Sequence, residues 1–244
     1  MSARNNMKTL SSEQFYTKHY DYYDSLRNGR LDYIHAINSY IIDNYESGSI
    51  LDIGCGDGLR SLELKNKICV DFVGLDNCAE MCERARINGM QTIINESIEN
   101  LSQQTINKYK GFFGSILCLW NVLGHITIMK DRQKAIKNMS TLLDSEGMLF
   151  IDVNNRFNIA QYGICNFLRN SIIEMARRNK GIFSIPINDE KSKVYISSKK
   201  ELSNLLDGSG FTIEHLFYIN YKNGVTEKDQ FRGQLFAICR KKKI

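Results

Sequence analysis

The chain has 244 residues, of which 43% are hydrophobic, so it is long enough for one domain with a full core and a small addition. Its net charge of +5 comes from 32 basic and 27 acidic residues, and four of the basic ones form the tail Arg240–Lys243. The body of the chain is therefore nearly neutral, which argues against a long nucleic-acid-binding track. We expect neither a membrane span nor a signal peptide, because no apolar run is long enough for the first and Met1–Leu10 lacks the apolar centre of the second.

The cysteines and histidines also limit the possibilities. Seven cysteines are scattered along the chain, and most of them lie within apolar runs. This usage is typical of reduced thiols and indicates a cytoplasmic protein rather than a disulfide framework. The four histidines, at positions 19, 35, 125 and 215, have no spacing typical of metal ligands, so we predict no metal site.

Aromatic residues are concentrated near the start of the chain. Ser11–Arg27 is predicted to be a helix rich in them, and Asp32–Asn44 follows with apolar residues at helical spacing. We interpret residues 1–48 as a helical lid, in which Tyr20 is a candidate catalytic residue and Tyr23 a candidate substrate-binding residue. The alternative is an aromatic stripe that packs against the core.

An apolar run, Ile50–Ile53, leads into a turn with glycine at positions 54, 56 and 58. Glycine lets a backbone bend sharply and approach a ligand because it has no Cβ. The turn precedes a predicted helix, Leu59–Lys65, whose free N–H groups face the same place. A second apolar run ends in Asp76, so strand, turn, helix, strand and carboxylate predict a nucleoside-binding half of an α/β sheet.

The chemistry of this turn discriminates between nucleosides. Dinucleotide sites usually space their glycines as G-x-G-x-x-G, whereas this turn has G-x-G-x-G. Asp52 and Asp57 add carboxylates that would repel a pyrophosphate and would suit a ligand with an ammonium or sulfonium charge. A nicotinamide oxidoreductase is therefore disfavoured.

Leu51–Gly58 resembles the first motif of class I S-adenosylmethionine-dependent methyltransferases, which is close to L-D-x-G-x-G-x-G. Gly74-Leu75-Asp76 resembles the second motif, in which the acid holds both ribose hydroxyls. The resemblance covers residues 49–151 and 194–240. It implies an α/β fold, with a Rossmann-like seven-stranded methyltransferase sheet, helices on both faces and an antiparallel last strand.

The same resemblance implies S-adenosylmethionine as the cofactor, with S-adenosylhomocysteine as its product. Two departures from the family pattern stand out: Ser97 replaces the acid that usually binds adenine, and Gly114 replaces an aspartate on the fourth strand. The implied cofactor-binding residues are Asp52, Gly54, Cys55, Gly56, Asp76, Asn77, Ser97, Ile98, Leu119 and Trp120.

Helical and strand patterns alternate from residue 49 to residue 153, which we interpret as the cofactor-binding core. Residues 154–193 break that rhythm and include a predicted helix, Tyr162–Asn179, so we interpret them as a cap inserted after the fifth strand. Residues 194–244 are predicted to complete the sheet, with a tight turn at Lys222–Gly224.

Methyl transfer from a sulfonium needs alignment and exclusion of water more than a fixed catalytic group. His125 is a candidate base because its unperturbed pKa is about 6.5, but its position about one turn after Trp120 favours a helix residue that packs behind the site. The loop after the fifth strand lies at the carboxyl edge of the sheet, where ligands bind in such folds. The alternative is a solvated loop that contacts no ligand. It supplies Asn155 as a catalytic candidate, and the substrate-binding candidates besides Tyr23 are Asn154, Arg156, Tyr162 and Tyr195.

These observations predict a methyltransferase that acts on an N or O atom of a small molecule or short peptide by in-line displacement. One alternative is an RNA-modifying methyltransferase that uses the basic tail together with Arg177, Arg178 and Lys180. The other is a non-catalytic partner subunit that only binds S-adenosylmethionine, against which an enclosed acceptor pocket would argue. The sequence does not distinguish between a monomer and a homodimer.

Overall fold

A computed structural model describes residues 8–165, 168, 181–187 and 190–243 of the chain. The strands are β1 Lys8–Leu10, β2 Ser49–Ile53, β3 Phe72–Asp76, β4 Thr92–Asn95, β5 Phe113–Cys118, β6 Leu143–Val153, β7 Ile182–Ile187, β8 Glu190–Tyr195, β9 Phe211–Ile219, β10 Thr226–Glu227 and β11 Gln234–Lys241. The helices are α1 Ser12–Lys18, α2 Tyr20–Asn28, α3 Leu31–Asn44, α4 Leu59–Ile68, α5 Ala79–Ile87, α6 Gln103–Tyr109, α7 Val122–His125, α8 Met129–Leu142, α9 Ile159–Tyr162 and α10 Lys199–Asp207.

The main sheet has the strand order β10-β9-β11-β6-β5-β2-β3-β4. Strands β2 to β6 pair in parallel, whereas β11 pairs antiparallel with both β6 and β9. The predicted methyltransferase sheet with an antiparallel last strand is therefore confirmed. An eighth strand, the two-residue β10, pairs with β9 at the edge after the turn that contains Gly224 at φ +66°.

Helices cover both faces of this sheet, which explains why its central strands are buried along almost their whole length. All residues of β3 and β5 are buried, as is typical of parallel strands packed on both sides. Leu51 and Ile53 face a core shared with α8 and α10, whereas Ile50 faces one shared with α3 and α4. The carboxyl ends of β2, β3 and β5 consequently meet at one edge, above which the N-terminal helices lie.

The single helix predicted over Ser11–Arg27 is two helices in the structure. α1 begins at a capping box formed by Ser11 and Gln14 and ends at His19, whose φ and ψ of −120° and 41° are not helical. The His19 Nε2 atom lies 3.1 Å from an oxygen of Glu190 on β8. This tertiary contact, between residues 171 positions apart, explains why the helix is interrupted at His19. Local helical periodicity in the sequence carries no information about such a contact.

A second, three-stranded sheet has the order β1-β8-β7 and joins the N-terminal lid residues to the segment predicted as a cap. The boundary that we expected at residue 194 falls inside β8, because Val194 and Tyr195 pair with β7 rather than with the main sheet. The predicted helix Tyr162–Asn179 lies mostly outside the described residues. Within the described part of the chain, no helix has the length and apolar character needed to cross a membrane.

Candidate active site

A cavity of about 980 Å³, counted to its open mouth, lies at the carboxyl ends of β2, β3 and β5. This is the edge where open α/β sheets bind ligands. The glycine turn after β2 forms one wall, and Ser12, Tyr16 and Tyr23 from the N-terminal helices form another.

The glycine turn follows the predicted bend. Gly54, Gly56 and Gly58 have φ values of +69°, +56° and +75°, a region that residues with a Cβ rarely adopt. A Cβ built on Gly56 would lie 3.1 Å from the hydroxyl oxygen of Tyr23. Glycine at this position therefore serves both the bend and the space between the turn and the lid.

Asp76 stands at the end of β3 and holds the glycine turn in place. Its two carboxylate oxygens accept hydrogen bonds of 2.9 Å from the backbone N–H groups of Gly56 and Cys78. Burial raises the pKa of this carboxyl, and the backbone hydrogen bonds oppose that rise. An ionised carboxylate can accept about four hydrogen bonds, so Asp76 retains acceptor capacity for ligand hydroxyls.

The other two acids of the motif have different surroundings. Asp52 lines the cavity and accepts a 2.5 Å hydrogen bond from the Ser61 hydroxyl, and burial raises its pKa to about 6. Asp57 is buried outside the cavity lining and accepts a 2.7 Å hydrogen bond from Arg27 of α2. Asp52 is therefore available to a ligand, whereas Asp57 ties the glycine turn to the lid.

All ten residues predicted to bind the cofactor line this one cavity. Ser97 and Ile98 follow β4, the strand at one edge of the main sheet, and line the cavity there. The carboxylate of the adjacent Glu96 accepts hydrogen bonds from Ser102 and Thr105 at the start of α6. The ten are Asp52, Gly54, Cys55, Gly56, Asp76, Asn77, Ser97, Ile98, Leu119 and Trp120.

The lid brings aromatic side chains to the opposite wall of the cavity. Tyr23, one of the predicted substrate-binding residues, lines the cavity, and its ring centroid lies 5.7 Å from that of Trp120. Tyr16, which the sequence interpretation did not select, also lines the cavity, and its hydroxyl oxygen lies 3.0 Å from the Nε2 atom of His125. Helical spacing from Tyr23 would not have found it, because Tyr16 lies on α1 and Tyr23 on α2, and the chain between them is not helical at His19.

Tyr20 does not line the cavity. The Arg84 guanidinium lies 3.7 Å above its ring, and its hydroxyl is 3.5 Å from Asp57. Both contacts join the lid to the core, so the structure places Tyr20 between these two parts and away from the predicted catalytic position.

The loop after β6 is also outside the cavity lining. The buried Asn155 side chain donates to the carbonyl oxygens of Gln230 and Gly233, and Asn154 accepts a 2.5 Å hydrogen bond from Tyr221. These side chains hold the loop against the segment before β11. The structure thus gives both asparagines structural partners where we predicted acceptor contacts.

The remaining three substrate-binding candidates are likewise engaged elsewhere. The Arg156 guanidinium lies 2.5 Å from a carboxylate oxygen of Glu201 and is buried. Tyr195 is stacked under the guanidinium of Arg132 at 3.5 Å. Tyr162 accepts a 3.4 Å hydrogen bond from Gln234. None of the three candidates lines the cavity.

The comparisons with known proteins agree with this geometry. The family model described as a methyltransferase domain matches residues 23–216. A Methanocaldococcus jannaschii protein described as uncharacterised is 25% identical over 93% of this chain and 86% of its own length. The glycine/sarcosine N-methyltransferase of Halorhodospira halochloris is 30% identical over 47% of this chain, which matches 42% of that enzyme. The crystal structure of an S-adenosylmethionine-dependent methyltransferase from Methanosarcina mazei superposes with a TM-score of 0.65, at 20% identity over 84% of this chain and 98% of its own.

The chain belongs to the methyltransferase domain family, and it is a class I S-adenosylmethionine-dependent methyltransferase with a Rossmann-like fold. The residues present fit the cofactor. A side chain at Gly56 would fill the cradle, Asp76 has acceptor capacity left for ribose hydroxyls, and Asp52 offers a carboxylate to a positively charged ligand.

Replacement of Asp76 by alanine is expected to weaken S-adenosylmethionine binding by about 1.5–3 kcal/mol, because charge-assisted hydrogen bonds to the ribose are lost. Calorimetry with S-adenosylhomocysteine and with its 2′-deoxy analogue checks this assignment. The substitution should weaken binding of the parent compound more than binding of the analogue, which already lacks one hydroxyl. Equal losses for both would show that Asp76 acts only by holding the Gly56 and Cys78 N–H groups.

His125 supports a prediction about pH and stability. Burial lowers its pKa to about 4, compared with about 6.5 in an unfolded chain. The unfolded state therefore binds more protons between pH 4 and pH 6.5, so this residue's contribution to stability is complete above pH 6.5 and is lost as the pH falls towards 4. The loss is on the order of 2–3 kcal/mol.

Asp52 acts in the opposite direction, because its raised pKa favours the folded state as the pH falls from about 6 towards its usual range. The test therefore compares how much unfolding free energy the variant and the unchanged protein each lose between the two pH values. Denaturant unfolding at pH 7 and pH 4.5 should show a smaller loss of stability for His125→Gln than for the unchanged protein. Identical losses would contradict the assignment to His125.

Proposed function

We propose that this enzyme transfers a methyl group to an N or O atom of a small molecule or short peptide that binds beneath the N-terminal helices α1 and α2. The observation that carries the proposal is the shared cavity, in which the predicted cofactor residues face Tyr16 and Tyr23 of the lid. Such enclosure favours an acceptor small enough to fit under the helices. An enclosed acceptor pocket lined by Asn155 or Tyr20 would have argued against the partner-subunit alternative, but both residues lie outside the cavity lining, so the transfer experiment below decides that alternative.

S-adenosylmethionine supplies a methyl group that its sulfonium already activates. The protein's own contribution is alignment and exclusion of water, which the aromatic wall of Tyr16, Tyr23 and Trp120 supports. His125 is our candidate for taking the acceptor's proton, because it lines the cavity and its Nε2 atom lies 3.0 Å from the Tyr16 hydroxyl oxygen. Burial lowers its pKa, which keeps the imidazole neutral near pH 7 but also makes it a weaker base than a free histidine.

The named relative supports a small acceptor. Glycine and sarcosine are small amines, and the enzyme from Halorhodospira halochloris that methylates them is 30% identical to this chain where the two match. We therefore rank nitrogen acceptors first within the proposal, with oxygen acceptors retained. Part of the cap predicted over residues 154–193 lies outside the described residues, and none of its described residues lines the cavity.

The contacts of the basic tail weigh against the RNA alternative. Arg240 pairs with Glu46 and Glu214, and Lys242 pairs with Asp207. Cations paired in this way are less available to a phosphate backbone. The other residues of that alternative, Arg177, Arg178 and Lys180, lie outside the described residues.

The cysteines bear on where the enzyme acts in the cell. All seven are free thiols, which supports a cytoplasmic site of action.

The test is methyl transfer by the purified chain from labelled S-adenosylmethionine to separate pools of amines, phenols, short peptides and total RNA. We expect saturable product formation with a small acceptor or peptide pool. Transfer to RNA alone, with strong salt dependence, would establish the alternative acceptor. Tight cofactor binding without transfer to any pool would support the partner-subunit alternative.

A further inference from the structure

Two consecutive residues just after β5 have a backbone conformation that side chains rarely allow. Trp120 and Asn121 have φ values of +59° and +57°, and among the described residues the only other non-glycine residue with a positive φ is Cys69. Asparagine tolerates this left-handed region, whereas a bulky residue there is a genuine outlier. Such strain persists only where the surroundings fix it, and it is concentrated at functional sites.

The side chain that fixes this turn is Asp152, near the end of the neighbouring strand β6. It is 1% exposed, and its carboxylate accepts a 2.7 Å hydrogen bond from the backbone N–H of Asn121 and a 3.1 Å hydrogen bond from the Tyr33 hydroxyl. Burial raises the pKa of Asp152, while the charge of Arg60 and hydrogen bonds from the backbone N–H groups of Asn121 and Trp120 oppose that rise. All these hydrogen-bond partners are donors, which a carboxylate satisfies and an amide does not.

The neighbours of the turn are shaped to accommodate it. The Asn121 side chain accepts a 2.9 Å hydrogen bond from the backbone N–H of Asn154, just after β6. A Cβ added to Gly124 would collide with the Asn121 amide group, and one added to Gly54 would collide with Val122. The turn is therefore held between β6 and the glycine turn by polar contacts and by close packing.

This turn determines where the Trp120 ring lies. The ring lines the cavity, and its centroid is 5.7 Å from that of Tyr23 on the lid. Asp152 does not line the cavity, so any effect it has on the site passes through the turn.

We propose that Asp152 is a positioning residue, which holds Trp120 and Asn121 in the left-handed conformation and thereby fixes the indole ring as the cavity wall that faces the lid. Without the carboxylate, the strained turn relaxes and the ring leaves this wall. The proposal rests on the cofactor cavity and is independent of which acceptor the enzyme uses.

The sequence offers a specific probe, because Trp120 is the only tryptophan in the chain. Intrinsic tryptophan fluorescence and its quenching by acrylamide therefore report on this ring alone. The test variant is Asp152→Asn, which keeps the size of the side chain but turns amide donors towards the N–H groups of the turn. The matched control is Tyr33→Phe, which removes another partner of the same buried carboxylate and leaves the acceptor for Asn121 in place.

Both variants are compared with the unchanged protein after circular dichroism has established that they are folded. We expect Asp152→Asn to shift the Trp120 emission to longer wavelength, to increase its quenching by acrylamide and to raise the Kd for S-adenosylmethionine about tenfold. Tyr33→Phe should change each of these less. The proposal is overturned if folded Asp152→Asn keeps the emission and quenching of the unchanged protein, if it keeps the affinity for S-adenosylmethionine, or if Tyr33→Phe has equal effects.

A second pair of variants decides the question if Asp152→Asn does not fold. Asn121→Gly and Asn121→Ala both remove the amide that accepts from the Asn154 N–H, but only alanine makes the left-handed conformation costly. Asn121→Ala should therefore shift the Trp120 emission and weaken S-adenosylmethionine binding more than Asn121→Gly. Equal effects of the two substitutions would show that the backbone conformation of the turn does not position the ring.

Discussion

Replacement of Gly56 by valine is expected to abolish S-adenosylmethionine binding, which means a rise in Kd of about 100-fold or more. Two physical effects combine at this position. The residue has a φ of +56°, where a β-branched side chain is strained. Its Cβ would lie 3.1 Å from the Tyr23 hydroxyl and would project into the cavity that the turn and the lid share. The branched side chain would therefore occupy ligand space.

The chain offers a matched control for the backbone strain. Gly111 has a φ of +66°, and a Cβ added there would meet no atom within 4 Å. Gly111→Val should therefore carry a similar conformational cost without touching the cavity. Calorimetric titration of both variants separates the two effects, since only Gly56→Val is expected to lose cofactor binding. A loss of similar size in both would assign the effect to general destabilisation.

The cofactor half of the site could be predicted because its residues are close together in sequence and follow strands. Gly56 follows β2, Asp76 ends β3, and Trp120 follows β5, and the carboxyl ends of adjacent parallel strands meet at one edge. Local patterning thus determines both the elements and the position of their ends. Residues at these strand ends consequently line one cavity, as the local patterning of the strands predicts.

The positions of the candidate acceptor-contacting residues could not be predicted in this way, because the contacts of these residues join distant parts of the chain. Tyr16 and His125 are 109 residues apart, and the Asn155 side chain reaches Gln230 and Gly233 across 75 and 78 residues. Asparagine in a loop after a strand suits either a ligand or a distant backbone carbonyl. The residue type alone does not discriminate between these two roles. The second sheet was missed for a different reason, because its three-residue strand β1 is too short to give a periodic signal.

The contact between Tyr16 and His125 leads to the second large effect. His125→Gln is expected to lower kcat about 100-fold, the lower range for loss of a general base, while the Kd for S-adenosylmethionine stays within about twofold. Glutamine retains a polar group near Tyr16 but does not accept a proton as imidazole does. The matched control is His35→Gln, because His35 is exposed on α3 and does not line the cavity.

Tyr16→Phe completes the test by removing only the hydroxyl that lies 3.0 Å from His125 Nε2. If the two side chains act as one unit on the acceptor's proton, the double variant should be no slower than His125→Gln alone. The acid limb of the kcat profile should also disappear in His125→Gln, a change that a purely structural role would not produce. Reduced donor affinity with an unchanged profile would instead assign His125 to packing behind the cofactor.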